Sequence, residues 1–361
     1  MAKVKISGLY RDDLVMPGET LLEFIEERGM TQSELAIRLS LSEKHISEII
    51  NGKSPISIET ANKLEHVFGL SASFWNNLEK NYRERVAEIE ALEAISQNEV
   101  ELVNLIPFKE LIKMKLVKCD NPQDKKSLVL RLRDFFRVAN LSAIPTLYNE
   151  ALALRQTKVS YDVYAVATWI RMCDLLCNRE INNQFNRNEL KEKLQIIKSL
   201  LNLKDINKAI HILTCILESC GIIFKVVPSF PKAPVQGMVR YVNGKLILCM
   251  TIRNKYADIF WFSLFHEIGH LIYDDIKKLF IDFNALDNEQ ERHANNFAAN
   301  ALISVSQFNQ IKDAILTEAF IRQKANELGL FPGIIVGRLQ HEGLLLPTQY
   351  NQLRLKYEWA E

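Results

Sequence analysis

Thr31-Gln32-Ser33-Glu34-Leu35-Ala36-Ile37-Arg38-Leu39-Ser40-Leu41-Ser42-Glu43-Lys44-His45-Ile46-Ser47-Glu48-Ile49-Ile50-Asn51-Gly52-Lys53 reads as two short helices joined by a tight turn. Thr31 is a natural N-cap for Gln32–Leu39, and Glu34 three residues on completes a capping box. Ser42 caps the next helix, Glu43–Asn51, and Gly52 ends it. Ile46, Ile49 and Ile50 form the buried face, leaving Glu43, Lys44, His45, Ser47 and Glu48 outward. Ala36 stands where the two helices must approach closely. A pair of this geometry lays its second helix in the DNA major groove, where early residues meet base edges. The predicted DNA contacts are Gln32, Glu43, Lys44, His45 and Ser47, with Asn51 and Lys53 touching phosphates. A plain helical hairpin within a bundle shares the pattern.

Outward from this stretch the helical reading continues. Pro17 precedes the apolar-periodic segment Thr20–Arg28, which Gly29 ends. Pro55 and Ser57 introduce Ile58–Phe68, stopped by Gly69, and Ser71 opens a helix predicted to run to about Leu102. Residues 105–220 keep helical spacing, with breaks at Asp120–Gln123, Pro145 and Asn202–Asp205. From Gly221 the pattern changes: Ile222–Val227 is strand-like, and Pro228, Pro231 and Pro234 mark a loop. Gly237–Val242, Asn243-Gly244 and Lys245–Thr251 read as a hairpin with a type I′ turn. Helices resume from Asp258 and close the chain around Phe331-Pro332-Gly333. The predicted fold class is mainly α with a small α+β C-terminal domain. The boundaries are 1–85 for the helix-turn-helix, 86–220 for a helical middle and 221–361 for the C-terminal domain.

Composition limits the function classes. The 361 residues suit two or three domains, and 48% hydrophobic with 25% charged residues is ordinary for a globular protein. No apolar window is long enough to cross a membrane, and Met1–Ser7 lacks a secretory stretch. The six cysteines lie in apolar runs and read as reduced buried thiols, which together point to the cytoplasm. Net charge is +1, and residues 1–85 carry eleven Lys and Arg against thirteen Asp and Glu. That balance argues against tight non-specific binding by the helix-turn-helix and leaves room for a small basic stripe in a symmetric dimer. Ile58–Phe68 and Phe74–Leu102 are the predicted dimer contacts.

A second motif carries metal chemistry. His266-Glu267-Ile268-Gly269-His270 places two histidines at i and i+4 on one helix face, where both reach one ion. Glu267 is placed to hold a water on that ion and take its proton. Phe262, Leu264, Phe265 and Leu271 make this helix deeply apolar, an expensive place for polar groups without partners. A catalytic Zn2+ needs a third protein ligand. Glu291, which starts the next helical segment with Glu289 and His293, is the choice. Tyr256, Tyr273, Arg338 and His341 are weaker candidates for stabilising an oxyanion, and Gly237–Val242 for holding an extended peptide at a sheet edge.

Met16-Pro17-Gly18-Glu19, Gly29–Ala36 and His45–Lys53 resemble the HigA-type antitoxin branch of the XRE helix-turn-helix family over about the first 85 residues. That resemblance implies a lambda-repressor-like domain and a homodimer on double-stranded operator DNA, commonly autoregulating a toxin–antitoxin operon. Phe262–His270, Glu291-x-x-Ala294-Asn295-x-Phe297-Ala298 and Gly333-x-x-Val336-Gly337-Arg338-Leu339 resemble the ImmA/IrrE metallopeptidases over roughly residues 220–345. This second resemblance implies a zincin-like domain with His266, His270 and Glu291 on zinc, His293 as the fallback third ligand, Glu267 as general base, and as substrate another regulator protein or the linker of this protein itself. The chain departs from that family at Asp274, where a further histidine is common, and at Leu302-Ile303-Ser304. The rival expectations are a DNA-binding repressor whose metal domain senses without turnover, and a toxin-neutralising protein that binds its partner through residues 105–220.

Overall fold

The computed structural model describes residues 14–153, 161–203, 205–242, 244–252, 256–275, 280–282 and 289–357. The Met1–Ser7 start and Asn243 of the hairpin therefore lie outside the described residues. The chain forms two compact units, residues 1–100 with 119–131, and residues 101–118 with 132–361.

In the first unit the helices are α1 (Pro17–Glu27), α2 (Gln32–Leu39), α3 (Glu43–Ile50), α4 (Ile58–Phe68) and α5 (Ala72–Glu93). Their apolar faces meet around Leu21, Leu35, Ile46, Ile49, Leu64 and Trp75, all buried. The turn after α2 forms because Ser40 adopts φ 53°, which lets Leu41 N–H reach the Ala36 carbonyl at 2.9 Å. Thr31 and Ser42 cap as read, accepting from Glu34 N and His45 N, each at 3.1 Å. The predicted capping box at Thr31 is half made: the Glu34 carboxylate pairs with Arg38, one turn on, at 2.7 Å. Helix α5 also stops at Glu93 rather than near Leu102, because Ser96 caps a new helix, α6 (Gln97–Leu102), through Glu99 N.

The helical middle continues as α7 (Phe108–Lys113), α8 (Lys125–Phe136), α9 (Ile144–Ala153), α10 (Val163–Leu176), α11 (Arg187–Ser199) and α12 (Ile206–Ser219). Pro145 starts α9 instead of breaking a helix, since the first turn needs no proline N–H.

The second unit is built on a sheet of β1 (Ile222–Val226), β2 (Gly237–Val242), β3 (Lys245–Met250) and β4 (Phe280–Asp282) in the order β1-β3-β2-β4. β1 runs parallel to β3, and β2 runs antiparallel to both β3 and β4. Side chains alternate between two faces. Phe224, Leu248, Met250 and Val239 join the cluster containing α13 (Ala257–Tyr273), whereas Ile223, Ile247, Cys249 and Met238 join that of α10. The expectation of β2 as an open edge is corrected at Gly237–Val239, which pair with Asp282–Phe280. The remaining helices are α14 (Glu289–Leu302), α15 (Val305–Lys312), α16 (Glu318–Leu328) and α17 (Pro332–His341). The described residues are mostly helical with one small sheet, as the sequence predicts. Cys173, Cys177, Cys220 and Cys249 are buried thiols, Cys119 is half-buried, and Cys215, expected inside, is exposed. Among the described residues no helix is long and apolar enough to cross a membrane.

Candidate functional site

The apolar character of α13 sinks it between the sheet and α14, so its polar residues are buried with it. His266, Glu267 and His270 are 2%, 0% and 1% exposed. Glu291 on α14 is buried at 7%, and its carboxylate faces both rings. The two helices come this close because Gly269 packs on Ala294: a Cβ at Gly269 would stand 3.2 Å from the Ala294 Cα.

The ligand atoms of His266, His270 and Glu291 all lie within 4.8 Å of one another. The two Nε2 atoms are 3.1 Å apart, with Glu291 Oε2 at 3.1 Å from His266 and Oε1 at 3.7 Å from His270. Each outer nitrogen is held from behind. His270 Nδ1 meets Asp274 Oδ2 at 2.6 Å, and His266 Nδ1 meets Asn295 Oδ1 at 2.9 Å. An ionised carboxylate only accepts, so His270 donates from Nδ1 and turns the lone pair of Nε2 inward. Two inward lone pairs and a carboxylate repel one another unless positive charge sits among them. Two nitrogens bound tetrahedrally at about 2.0–2.1 Å are separated by about 3.4 Å. The donor set therefore fits a divalent cation of the zinc type, supplying three of the four ligands that a tetrahedral ion takes.

Burial raises the Glu291 pKa, but hydrogen bonds with His266 and His270 outweigh it and hold the carboxyl well below its usual range. Burial lowers the His270 pKa, yet the Glu291 hydrogen bond and the Glu267 charge prevail and raise it.

Glu267 lies on the sheet side of α13. A Cβ on Gly237 of β2 would come within 2.7 Å of Glu267 Oε1 and 2.8 Å of its Cγ, so only glycine leaves the room this carboxylate occupies. His293 is exposed and stands outside the cluster. Purified protein should bind about one zinc per chain, and Glu291→Ala should lower that content far more than His293→Ala, measured by atomic emission. The reverse order would move the third ligand to His293.

Sequence reasoning passed over three supports of this centre. Asp274 follows His270 by four residues, which puts it on the face of its partner, and Asn295 follows Glu291 by four, which puts it on the face of α14 that meets His266. Arg187, at the start of α11, donates to the Asp274 carbonyl at 2.9 Å and holds the end of α13; no local pattern signals it. The oxyanion candidates have other surroundings. Arg338 donates to the Ala299 and Ile303 carbonyls and lies over the Phe308 ring, which closes the end of α14. Tyr256 stacks under Arg354 at 4.1 Å, Tyr273 is exposed beside Phe297, and the His341 ring stands 6.2 Å from that of Phe262.

On the helix-turn-helix, Glu43, Lys44, Asn51 and Lys53 are exposed, whereas Gln32, His45 and Ser47 are half-buried. The Lys44 side chain is 85% exposed and its Nζ is 3.8 Å from the Glu48 carboxylate, which leaves it free to swing. His45 Nδ1 is 3.9 Å from the same carboxylate. Asn51 turns back on α3, donating to the Ser47 carbonyl at 2.7 Å, so it closes the helix in this state.

The Helix-turn-helix family profile matches residues 21–75. The chain is 33% identical over 75 residues to virulence-associated protein I of Dichelobacter nodosus, covering 20% of this chain and 69% of that protein. The Pseudomonas aeruginosa antitoxin HigA, solved with the higBA promoter, is 30% identical over 23% of this chain and 96% of its own, with TM-score 0.21. An addiction module antidote protein of the HigA family from Coxiella burnetii is 28% identical over 23% and 95%, with TM-score 0.21. Through its N-terminal region the chain belongs to the helix-turn-helix family.

Proposed function

We propose that this chain is an antitoxin-like, DNA-binding regulator whose second unit holds a zinc-dependent peptidase centre of zincin type. The observation that carries the enzymatic reading is the buried trio His266, His270 and Glu291, with both histidines braced from behind and Glu267 against Gly237. Zinc held there would polarise a peptide carbonyl and acidify a water at its open position. Glu267 takes the proton of the attacking water and passes it to the leaving amine. Asp274 and Asn295 keep the rings aimed. The substrate is another regulator protein, as the likeness of residues 220–345 to ImmA/IrrE peptidases implies. Incubating purified protein with candidate regulators, with and without chelator, tests this. A chelator-sensitive cut supports the reading, and intact regulators in both arms sink it.

The DNA-binding part of the proposal rests on family membership and on the exposed start of α3. A homodimer would read two half-sites of operator DNA. Lys44→Ala combined with His45→Ala should weaken operator binding by about 1–3 kcal/mol per lost base contact and leave the fold intact. An unchanged gel shift on the DNA upstream of the protein's own gene would remove these residues from the interface.

A sensor without turnover is favoured by one observation, the near-complete burial of all four residues, since structural metal centres are closed. Against it stands the ligand count, because three protein ligands leave a position open.

A further inference from the structure

We propose that the second unit carries its own phosphate-binding surface for duplex DNA, formed by Lys109, Lys113, Lys115 and Lys118. The proposal rests on the DNA-binding reading above and extends it beyond the helix-turn-helix. The segment is pinned from beneath by Phe108, Leu111 and Val117, which are 8%, 0% and 4% exposed. With those anchors inward, all four lysines face solvent. Lys109 and Lys113 share one face of α7, four residues apart. Lys115 adopts φ 59°, and the backbone bonds of Leu116 and Val117 to the Leu111 carbonyl, at 2.9 and 3.3 Å, fold the rest of the segment back on α7.

On several helices the chain pairs surface lysines with glutamates, as in Lys63–Glu59, Lys80–Glu84, Lys193–Glu189 and Lys324–Glu327, whereas single lysines such as Lys53, Lys208 and Lys312 stand exposed with no ion pair among the described residues. Within residues 109–118 there are four lysines and one acidic residue, Glu110. Among the described residues none of the four lysines has an ion-pair partner. Residues 1–85 carry eleven basic and thirteen acidic residues, so the helix-turn-helix lacks the positive charge that normally supplies most duplex affinity. A concentrated, unneutralised cluster in the other unit complements the DNA backbone.

The test is the salt dependence of binding by the full chain, read by fluorescence anisotropy on duplex from upstream of its gene and on a scrambled duplex. The variant combines Lys109→Gln, Lys113→Gln and Lys118→Gln with Lys115→Asn, which tolerates the left-handed backbone. Each lost phosphate contact flattens the plot of log K against log salt by about 0.9. The expected variant slope is therefore shallower by about 2 to 4. Affinity should fall by the same factor on both duplexes, with unchanged preference between them and unchanged circular dichroism. A slope identical to wild type overturns the proposal, also if the variant has instead lost an acidic protein partner. The Lys44 and His45 double variant is run alongside, and its loss of sequence preference reports the helix-turn-helix separately. A wild-type protein that binds neither duplex at any salt overturns the DNA-binding reading itself, and this surface with it.

Discussion

Glu267→Gln is expected to keep zinc and operator binding while losing peptide cleavage by about 100- to 10,000-fold, the range a general base supplies. His266, His270 and Glu291 form the ligand cluster, and Glu267 is not part of it. Glutamine preserves the size of a fully buried side chain and removes its basicity. Zinc content by atomic emission and cleavage followed by mass spectrometry separate the two roles. A variant that regulates as wild type does, with cleavage detected in neither protein, places the centre with sensors, and cleavage left unaltered by the substitution removes Glu267 as the base.

Gly237→Ala should have the second-largest effect. The added Cβ would meet Glu267 Oε1 at 2.7 Å and the Met250 sulfur at 2.9 Å, both inside normal contact. β2 is bonded to β3 on one side and β4 on the other, so it cannot shift without breaking a ladder. Glu267 must move instead. The expected outcome is zinc retained on α13 and α14, cleavage reduced at least ten-fold, and a stability loss of about 1–3 kcal/mol from overpacking. Thermal unfolding and the cleavage assay read the two consequences. Full activity with unchanged Tm would mean that Glu267 does not depend on this contact.

The parts legible in the sequence were those governed by local rules. Thr31, Ser42, Gly52, Ser57 and Gly69 punctuate α2 to α4 at the predicted places because caps and left-handed residues act over three or four positions. The trio His266, His270 and Glu291 was legible in part from the i, i+4 spacing and in part from family resemblance. What escaped depends on partners far along the chain. β4 pairs with β2 across some forty residues, and Arg187 reaches Asp274 across 87. The room Gly237 leaves for Glu267 exists only once strand and helix are packed. Where two local signals compete, pattern alone does not decide: the Glu34 carboxylate pairs with Arg38 and leaves the Thr31 capping box half made. The four lysines from Lys109 to Lys118 carry no motif of their own, and only the burial of Leu111 and Val117 fixes which side of the segment faces water.

The central claim is that a zinc-type centre in a helix-turn-helix regulator cuts a peptide bond through Glu267. Its most direct test is a comparison of protein N-termini in cells expressing wild type or Glu267→Gln at equal levels. The account predicts a small set of new N-termini within regulator proteins that appears with wild type and vanishes in the variant. Identical N-termini in both strains, under every stress that alters regulation, would contradict it.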